Sequence, residues 1–313
     1  MSLIAPAVVL QLNSVLVATD FSEASDKPLR YALSIARHYG AKFYLAHVVS
    51  SLGYTLAGPD AATIATDIAG EDARRLEEQL VKSGALEGLR HEVIVRPGKA
   101  VWEELENAIR EEQVEMVVVG THARRGLKKL VLGSVAEQIF HHADCLVLTV
   151  GPGSAAEGPI EGHRAFRPFL FATDFSPASL HALPYAISSA NHFGTKLVLL
   201  HVLPPVPMPE GFHWATASDL VTMRENARTA AIRQLEDLTR NAGLAAKPEI
   251  VIEFGTACPV SEKILEVADK MKVDAILMGL NRSKRSETPS QMPWATAYDV
   301  VCRADCPVLT VRN

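Results

Sequence analysis

MVVVGTHARRGLKKLVLGSVAEQI, residues Met116 to Ile139, is the stretch on which the reading of the whole chain turns. It opens with an apolar run, Met116 to Val119, that reads as a buried strand ending at Gly120. A loop carrying Arg124, Arg125, Lys128 and Lys129 follows, and Gly133-Ser134 leads into a helix. Such a strand, loop and helix start make an anion site, because a helix N-terminus presents unpaired N–H groups and the positive end of its dipole. Gly133 allows close backbone approach, and Ser134 offers a hydroxyl. The pattern predicts a nucleotide phosphate site. A plainer reading stands beside it. Ser134-Val135-Ala136-Glu137 fits a capping box in which Ser134 caps the helix and Glu137 reaches back, and any parallel α/β protein needs such starts.

Working outward, the chain contains a repeat. VLVATDFSE at residues 15–23 recurs as FLFATDFSP at 169–177, and LAHVV at 45–49 recurs as LLHVL at 199–203. ADCLVLTV at 143–150 recurs as ADCPVLTV at 304–311. The first two matches share an offset of 154 and the last has 161, so the second copy holds a few extra residues late in its length. Two domains follow, at 1–150 and 166–313. Between them 151–165, and Gly151 to Gly158 above all, has the composition of a flexible linker.

In the first copy the patterning predicts strands at Ser14–Ala18, Phe43–Val49, His91–Arg96, Met116–Val119 and Cys145–Val150. Helices alternate with them. The first runs from Glu23 to Tyr39, capped by Ser22 and stopped by Gly40. The second starts near Ala62 and passes through Arg74, Leu76 and Leu80 to Gly84. After the turn at Pro97-Gly98, the third turns Val101, Leu105, Ala108 and Ile109 inward, and the fourth runs to His142. Ser176-Pro177 marks the start of the first helix in the second copy more strongly, with Pro at the first helical position. This alternation implies an α/β fold: two tandem, doubly wound, Rossmann-like five-stranded parallel sheets. With strand order 3-2-1-4-5, Asp20 and Gly120 share one mouth at the point where the order reverses, which is where such sheets bind ligands.

Composition sets limits. The chain has 313 residues, 21% charged, with a net charge of −5. Up to Gly153 there are 15 Lys+Arg against 19 Asp+Glu, hence −4; the remainder has 16 against 17, hence −1. Neither half has the basic excess of a general nucleic-acid binder, so no nucleic-acid partner is expected. No apolar run reaches the length of a membrane span. Cys145, Cys258, Cys302 and Cys306 lack framework spacing and read as reduced thiols of a cytoplasmic protein. Leu3 to Leu10, with Pro6 and no basic leader, reads as a tail or an extra strand. Walker A, G-x-G-x-x-G, G-x-S-x-G and metal-ligand spacings are missing, so no metal and no catalytic residues are expected.

Taken together, these residues resemble the universal stress protein family, here as a tandem pair covering nearly the whole chain. Nucleotide-binding members carry Gly, two residues, Gly, nine residues, then Gly followed by Ser or Thr. This chain reads Gly120-Thr-His-Ala123, nine residues, then Gly133-Ser134, with Ala123 in place of the second glycine. Asp20 after the first strand and Val48 after the second match base- or ribose-contacting positions of the family. The resemblance implies ATP, with or without Mg2+, bound by Ala18, Thr19, Asp20, Val48, Val119, Gly120, His122, Ala123, Arg124, Gly133, Ser134 and Val135. It also implies that the fifth strands of the two copies pair within the chain, with homodimers a further form.

The second copy departs from the motif. Gly279 matches Gly120, but Leu280 to Met292 is two residues longer, and Trp294-Ala295 stands where Gly133-Ser134 stood. The helix is expected to start at Thr296 with Asp299 in a shifted capping box. Asp174 and Val202 remain, Arg282, Lys284 and Arg285 read as a solvated basic loop, and no ligand is expected there. His47 and His201, at one repeat position, read first as hydrogen-bonded core histidines, with a shared site role as the alternative. The leading function is a cytosolic stress-response protein that binds ATP in domain one as a regulatory, non-catalytic ligand. The rivals are an interaction module that has lost the nucleotide, and a slow ATP hydrolase.

Overall fold

The computed structural model describes residues 10–50, 60–121, 132–155, 167–205, 217–255, 258–281 and 295–313. The chain forms two compact units, one of Gln11–Arg164 with Val301–Thr310, the other of Ala165–Val300 with Met1–Leu10 and Val311–Asn313.

The first unit alternates β1 (Ser14–Ala18), α1 (Asp26–Tyr39), β2 (Lys42–Ser50), α2 (Ala61–Lys82), β3 (His91–Gly98), α3 (Val101–Glu111), β4 (Met116–Gly120), α4 (Ser134–His142) and β5 (Leu146–Val150). Its strand order is β3-β2-β1-β4-β5, parallel throughout, so the order reverses between β1 and β4 as the sequence predicts. Val15, Leu16, Val17, Val117 and Val118 are fully buried. Central parallel strands covered on both faces need continuous apolar runs, which is why VLV and MVVV do not alternate with polar residues. Gly40 ends α1 at φ 65, a left-handed value that suits glycine.

Four local expectations are corrected. Glu23–Ser25 is a 3-10 turn and α1 begins at Asp26; Ser22 caps nothing, because its hydroxyl donates to Asp20 Oδ1 (2.5 Å). β3 runs on through Pro97 and Gly98, opposite Val49 and Ser50. Proline is tolerated there because β3 is the outer strand of its unit, where a missing N–H need not break a ladder. The capping box at α4 does not form: Gly133 is the N-cap, Ser134 is the first helical residue, and no side chain caps the start. Residues 151–155 are packed and not a loose tether. Ser154 is 2% exposed, Lys27 Nζ donates to the carbonyls of Pro152 and Ser154, and a Cβ on Gly153 would lie 2.2 Å from Asp305 Oδ1. Residues 156–165 of the expected linker lie outside the described residues.

The second unit repeats the plan with β6 (Phe169–Ala172), α5 (Pro177–His192), β7 (Leu197–Leu203), α6 (Ala217–Thr239), β8 (Glu249–Phe254), α7 (Val260–Lys270) and β9 (Ala275–Leu280), in the parallel order β8-β7-β6-β9. Ser176 caps α5 by accepting from Ser179 N (3.3 Å). α8 (Ala295–Arg303) starts one residue before Thr296, and Asp299 accepts from Ser261 Oγ (2.6 Å). Leu10 is buried and donates to Ser188 Oγ (2.6 Å); Leu3 to Val9 lie outside the described residues.

The last strand, β10 (Val308–Arg312), explains where the units divide. Val308, Leu309 and Thr310 pair antiparallel with Thr149, Leu148 and Val147 of β5, so the two fifth strands meet within one chain. Residues 301–310 therefore fold with the first unit although they belong to the second repeat, and the compact units do not coincide with 1–150 and 166–313. Among the described residues no helix is long and apolar enough to cross a membrane.

Candidate functional site

The site grows from strand ends. β1 leaves the sheet at Ala18, and Thr19 N–H still bonds Ala46 O of β2 (2.9 Å), which carries the backbone straight to Asp20. There the chain turns sharply, with Phe21 at φ 58 and its N–H on Thr19 Oγ1 (3.0 Å). Asp20 Oδ1 accepts from Ser22 N (3.0 Å), Ser22 Oγ (2.5 Å) and Ser25 Oγ (2.7 Å). Burial pushes the Asp20 carboxyl up, but the donors from Ser22 and Ser25 outweigh it and hold the group below its ordinary value.

Across the switch point, β4 ends at Gly120, whose missing side chain leaves room for α1. A Cβ there would lie 3.0 Å from Pro28 Cγ. Gly133 N–H donates to Thr121 O (2.9 Å) and Gly133 O accepts from Glu137 N (2.8 Å). That pair of bonds hangs the start of α4 beside the end of β4. The first N–H groups of α4 have no intrahelical acceptor, and no side chain among the described residues caps them.

These parts enclose a cavity of about 220 Å³. Ala18, Thr19, Asp20, Val48, Val119, Gly120, Gly133, Ser134 and Val135, all named from the sequence, line it together. His122, Ala123 and Arg124, with the basic residues up to Lys129, lie outside the described residues. The lining also holds residues outside the set expected from the sequence: Ala24 and Ser25 from the 3-10 turn, Ala46 and His47 from β2, Val101 and Leu105 from α3, and Ala136 from α4. Val101 and Leu105 belong to an apolar stripe that reads as ordinary core, so their spacing held no separate signal. Ser25 was hidden by the expectation of a helix already formed at Glu23. No group of three or more His, Cys, Asp or Glu among the described residues is placed to hold a metal ion.

The corresponding mouth of the second unit is built more tightly. Asp174 Oδ1 accepts from Ser176 N (2.9 Å), and Thr173 Oγ1 donates to Ser179 Oγ (2.9 Å). Burial raises the Asp174 carboxyl, and the hydrogen bonds from Ser176 bring it below its ordinary value. Here the helix begins at once, at Pro177, and its first turn sits on β9. A Cβ on Gly279 would lie 2.2 Å from Ala178 O and 2.6 Å from Ser179 Cα, against 3.0 Å to a flexible ring carbon at Gly120. The start of α5 thus approaches the β9 backbone more closely than the start of α1 approaches Gly120. The basic loop of this copy and Trp294 lie outside the described residues.

The sequence model of the universal stress protein family matches residues 12–151 and again residues 165–312. A universal stress protein of Mycolicibacterium smegmatis is 33% identical over 205 residues, which span 61% of this chain and 66% of that protein, just under two thirds of its length. Universal stress protein YxiE of Bacillus subtilis is 32% identical over 147 residues, 44% of this chain and 98% of that one. Among solved structures, a universal stress protein from Archaeoglobus fulgidus superposes with a TM-score of 0.67 at 22% identity, covering 97% of this chain and 99% of that chain. At that identity the likeness speaks for the fold.

Proposed function

The chain belongs to the universal stress protein family, and from that premise we propose that its first unit binds ATP as a regulatory ligand in a cytoplasmic stress response. One observation carries this reading. Residues from four separate parts of the chain, the ends of β1, β2 and β4 and the start of α4, line a single cavity at the switch point of the sheet. The uncapped α4 start supplies backbone donors for phosphate, and apolar Val48, Val119 and Val135 supply walls for a base. The lining supports the non-catalytic part of the proposal. Asp20 and His47 are its only titratable side chains among the described residues; Asp20 is engaged by Ser22 and Ser25, and His47 is tied to the Thr19 carbonyl.

Native mass spectrometry of gently purified protein tests the reading directly, with co-purifying ATP as the expected result. Added Mg-ATP is expected to stabilise the chain by roughly 3 to 4 kcal/mol once free ligand exceeds Kd several hundred-fold. Gly133 sits at φ −60 and ψ 148, values open to any residue, so Gly133→Val is expected to keep the fold and lose the nucleotide. A melting curve that ignores millimolar Mg-ATP would leave a nucleotide-independent interaction module. Phosphate release from ATP would point to turnover instead.

A further inference from the structure

We propose that His47 selects the ligand of the first cavity, by presenting Nε2 as a hydrogen-bond acceptor to a donor group on the bound nucleotide. This rests on the nucleotide reading above and adds to it an acceptor that the glycine motif does not contain. His47 lies near the carboxyl end of β2 and lines the cavity. Its Nδ1 is 2.7 Å from the Thr19 carbonyl oxygen. A carbonyl has no proton to give, so Nδ1 carries the hydrogen, and the neutral ring keeps its lone pair on Nε2. Nothing among the described residues is hydrogen-bonded to that nitrogen. Phe21 packs on the imidazole with centroids 4.5 Å apart and planes tilted by 33°. Tautomer and ring position are therefore set before any ligand arrives, which limits the ordering cost of binding.

The second unit serves as an internal control. His201 Nδ1 is 2.8 Å from Thr173 O, and Phe175, at φ 62, packs on it at 4.5 Å. There the histidine is 8% exposed and closed in, and the tie between the first two strands of the unit accounts for it fully. His47 makes the same tie yet stays only half-buried, because its remaining surface opens onto the cavity. The difference between copies is that open face. An acceptor beside Asp20, whose Oδ1 is already taken by three donors, suits an N–H or O–H group. In a nucleotide that group is the exocyclic amine of a 6-aminopurine or a ribose hydroxyl.

The test compares binding of ATP, inosine triphosphate and 2′-deoxy-ATP to the full chain by calorimetry. His47→Asn keeps a donor for the Thr19 carbonyl and removes the Nε2 acceptor, whereas His47→Gln places its amide near the Nε2 position. The Asn variant is expected to lose about 5-fold in ATP affinity, the worth of one neutral hydrogen bond. Its discrimination should fall by the same factor against inosine triphosphate if the amine is the donor, or against 2′-deoxy-ATP if the ribose is. The Gln variant should recover part of the loss. In the wild-type chain the Nε2 nitrogen resonance should move when ATP saturates the site, a readout that needs no variant to fold. Wild-type binding of ATP with a stationary Nε2 resonance and unchanged nucleotide ratios in the Asn variant would overturn the assignment and leave the ATP reading standing. No ATP binding at all would remove both.

Discussion

Asp20 shows how one side chain ties local structure to stability. Its carboxylate is held by Ser22 and Ser25, and those bonds are stronger while the group is charged. A carboxyl whose folded value lies below the unfolded value of about 3.9 adds stability above that pH and loses it as pH falls through the folded value. Asp20→Asn is therefore expected to cost about 1 kcal/mol or less at neutral pH, and the gap from wild type in urea titrations should narrow as pH falls below the ordinary carboxylate range. A gap that stays constant with pH would refute this account. Two glycines give a second prediction at this scale. Gly279→Ala drives a Cβ into the backbone of Ala178, whereas Gly120→Ala meets the ring of Pro28 at its margin. The first should destabilise by about 1 to 3 kcal/mol and the second by less, measured as separate unfolding midpoints. Asp20 and Gly120 were legible in the sequence as members of one mouth, because a doubly wound order brings these strand ends together. The sequence favoured a core histidine at His47 over a shared site role, since the spacing that positions it is the same in both copies and the open face is not written in it.

The helices differ in how they begin, and the sites follow from those beginnings. Ser176 caps α5 through Ser179 N, so Ser176→Ala should cost about 1 kcal/mol. Ser22, its repeat partner, has its hydroxyl on Asp20, so Ser22→Ala should leave helix content unchanged while weakening the turn. Circular dichroism beside urea titration separates the two effects. Proline explains the contrast. Pro177 presets the first helical turn in the second copy, while Glu23 in the same place permits a 3-10 turn that leaves Ala24 and Ser25 at the cavity wall. At α4 the capping-box letters were present and the box was not built. Gly133 N–H is held by Thr121 O, which shifts the cap one residue back. Strand and helix periodicity read well from sequence because burial enforces it; helix starts read less well because a few competing hydrogen bonds decide them.

For the molecule as a whole, β5 is buried at every position and needs a neighbour on its outer side. β10 supplies it through Val308, Leu309 and Thr310. Removing residues 301–313 should destabilise the first unit by about 3 to 6 kcal/mol through lost aliphatic burial. It should also leave an apolar edge that drives association between copies, visible as a concentration-dependent mass in sedimentation. A truncated chain that stays monomeric and equally stable would contradict this role for β10. The amino-acid sequence by itself determined the duplicated α/β plan, the strand order and most of the cavity lining, because those depend on periodicity and on topology rules that hold for any parallel sheet. Tertiary structure alone decided that residues 151–155 are clasped by Lys27, that the last strand of the second repeat folds with the first unit, and that the helix start approaches the strand end more closely at Gly279 than at Gly120. Each of those outcomes turns on an approach of a few ångströms between residues far apart in the chain, and such distances exist only once the chain has closed on itself.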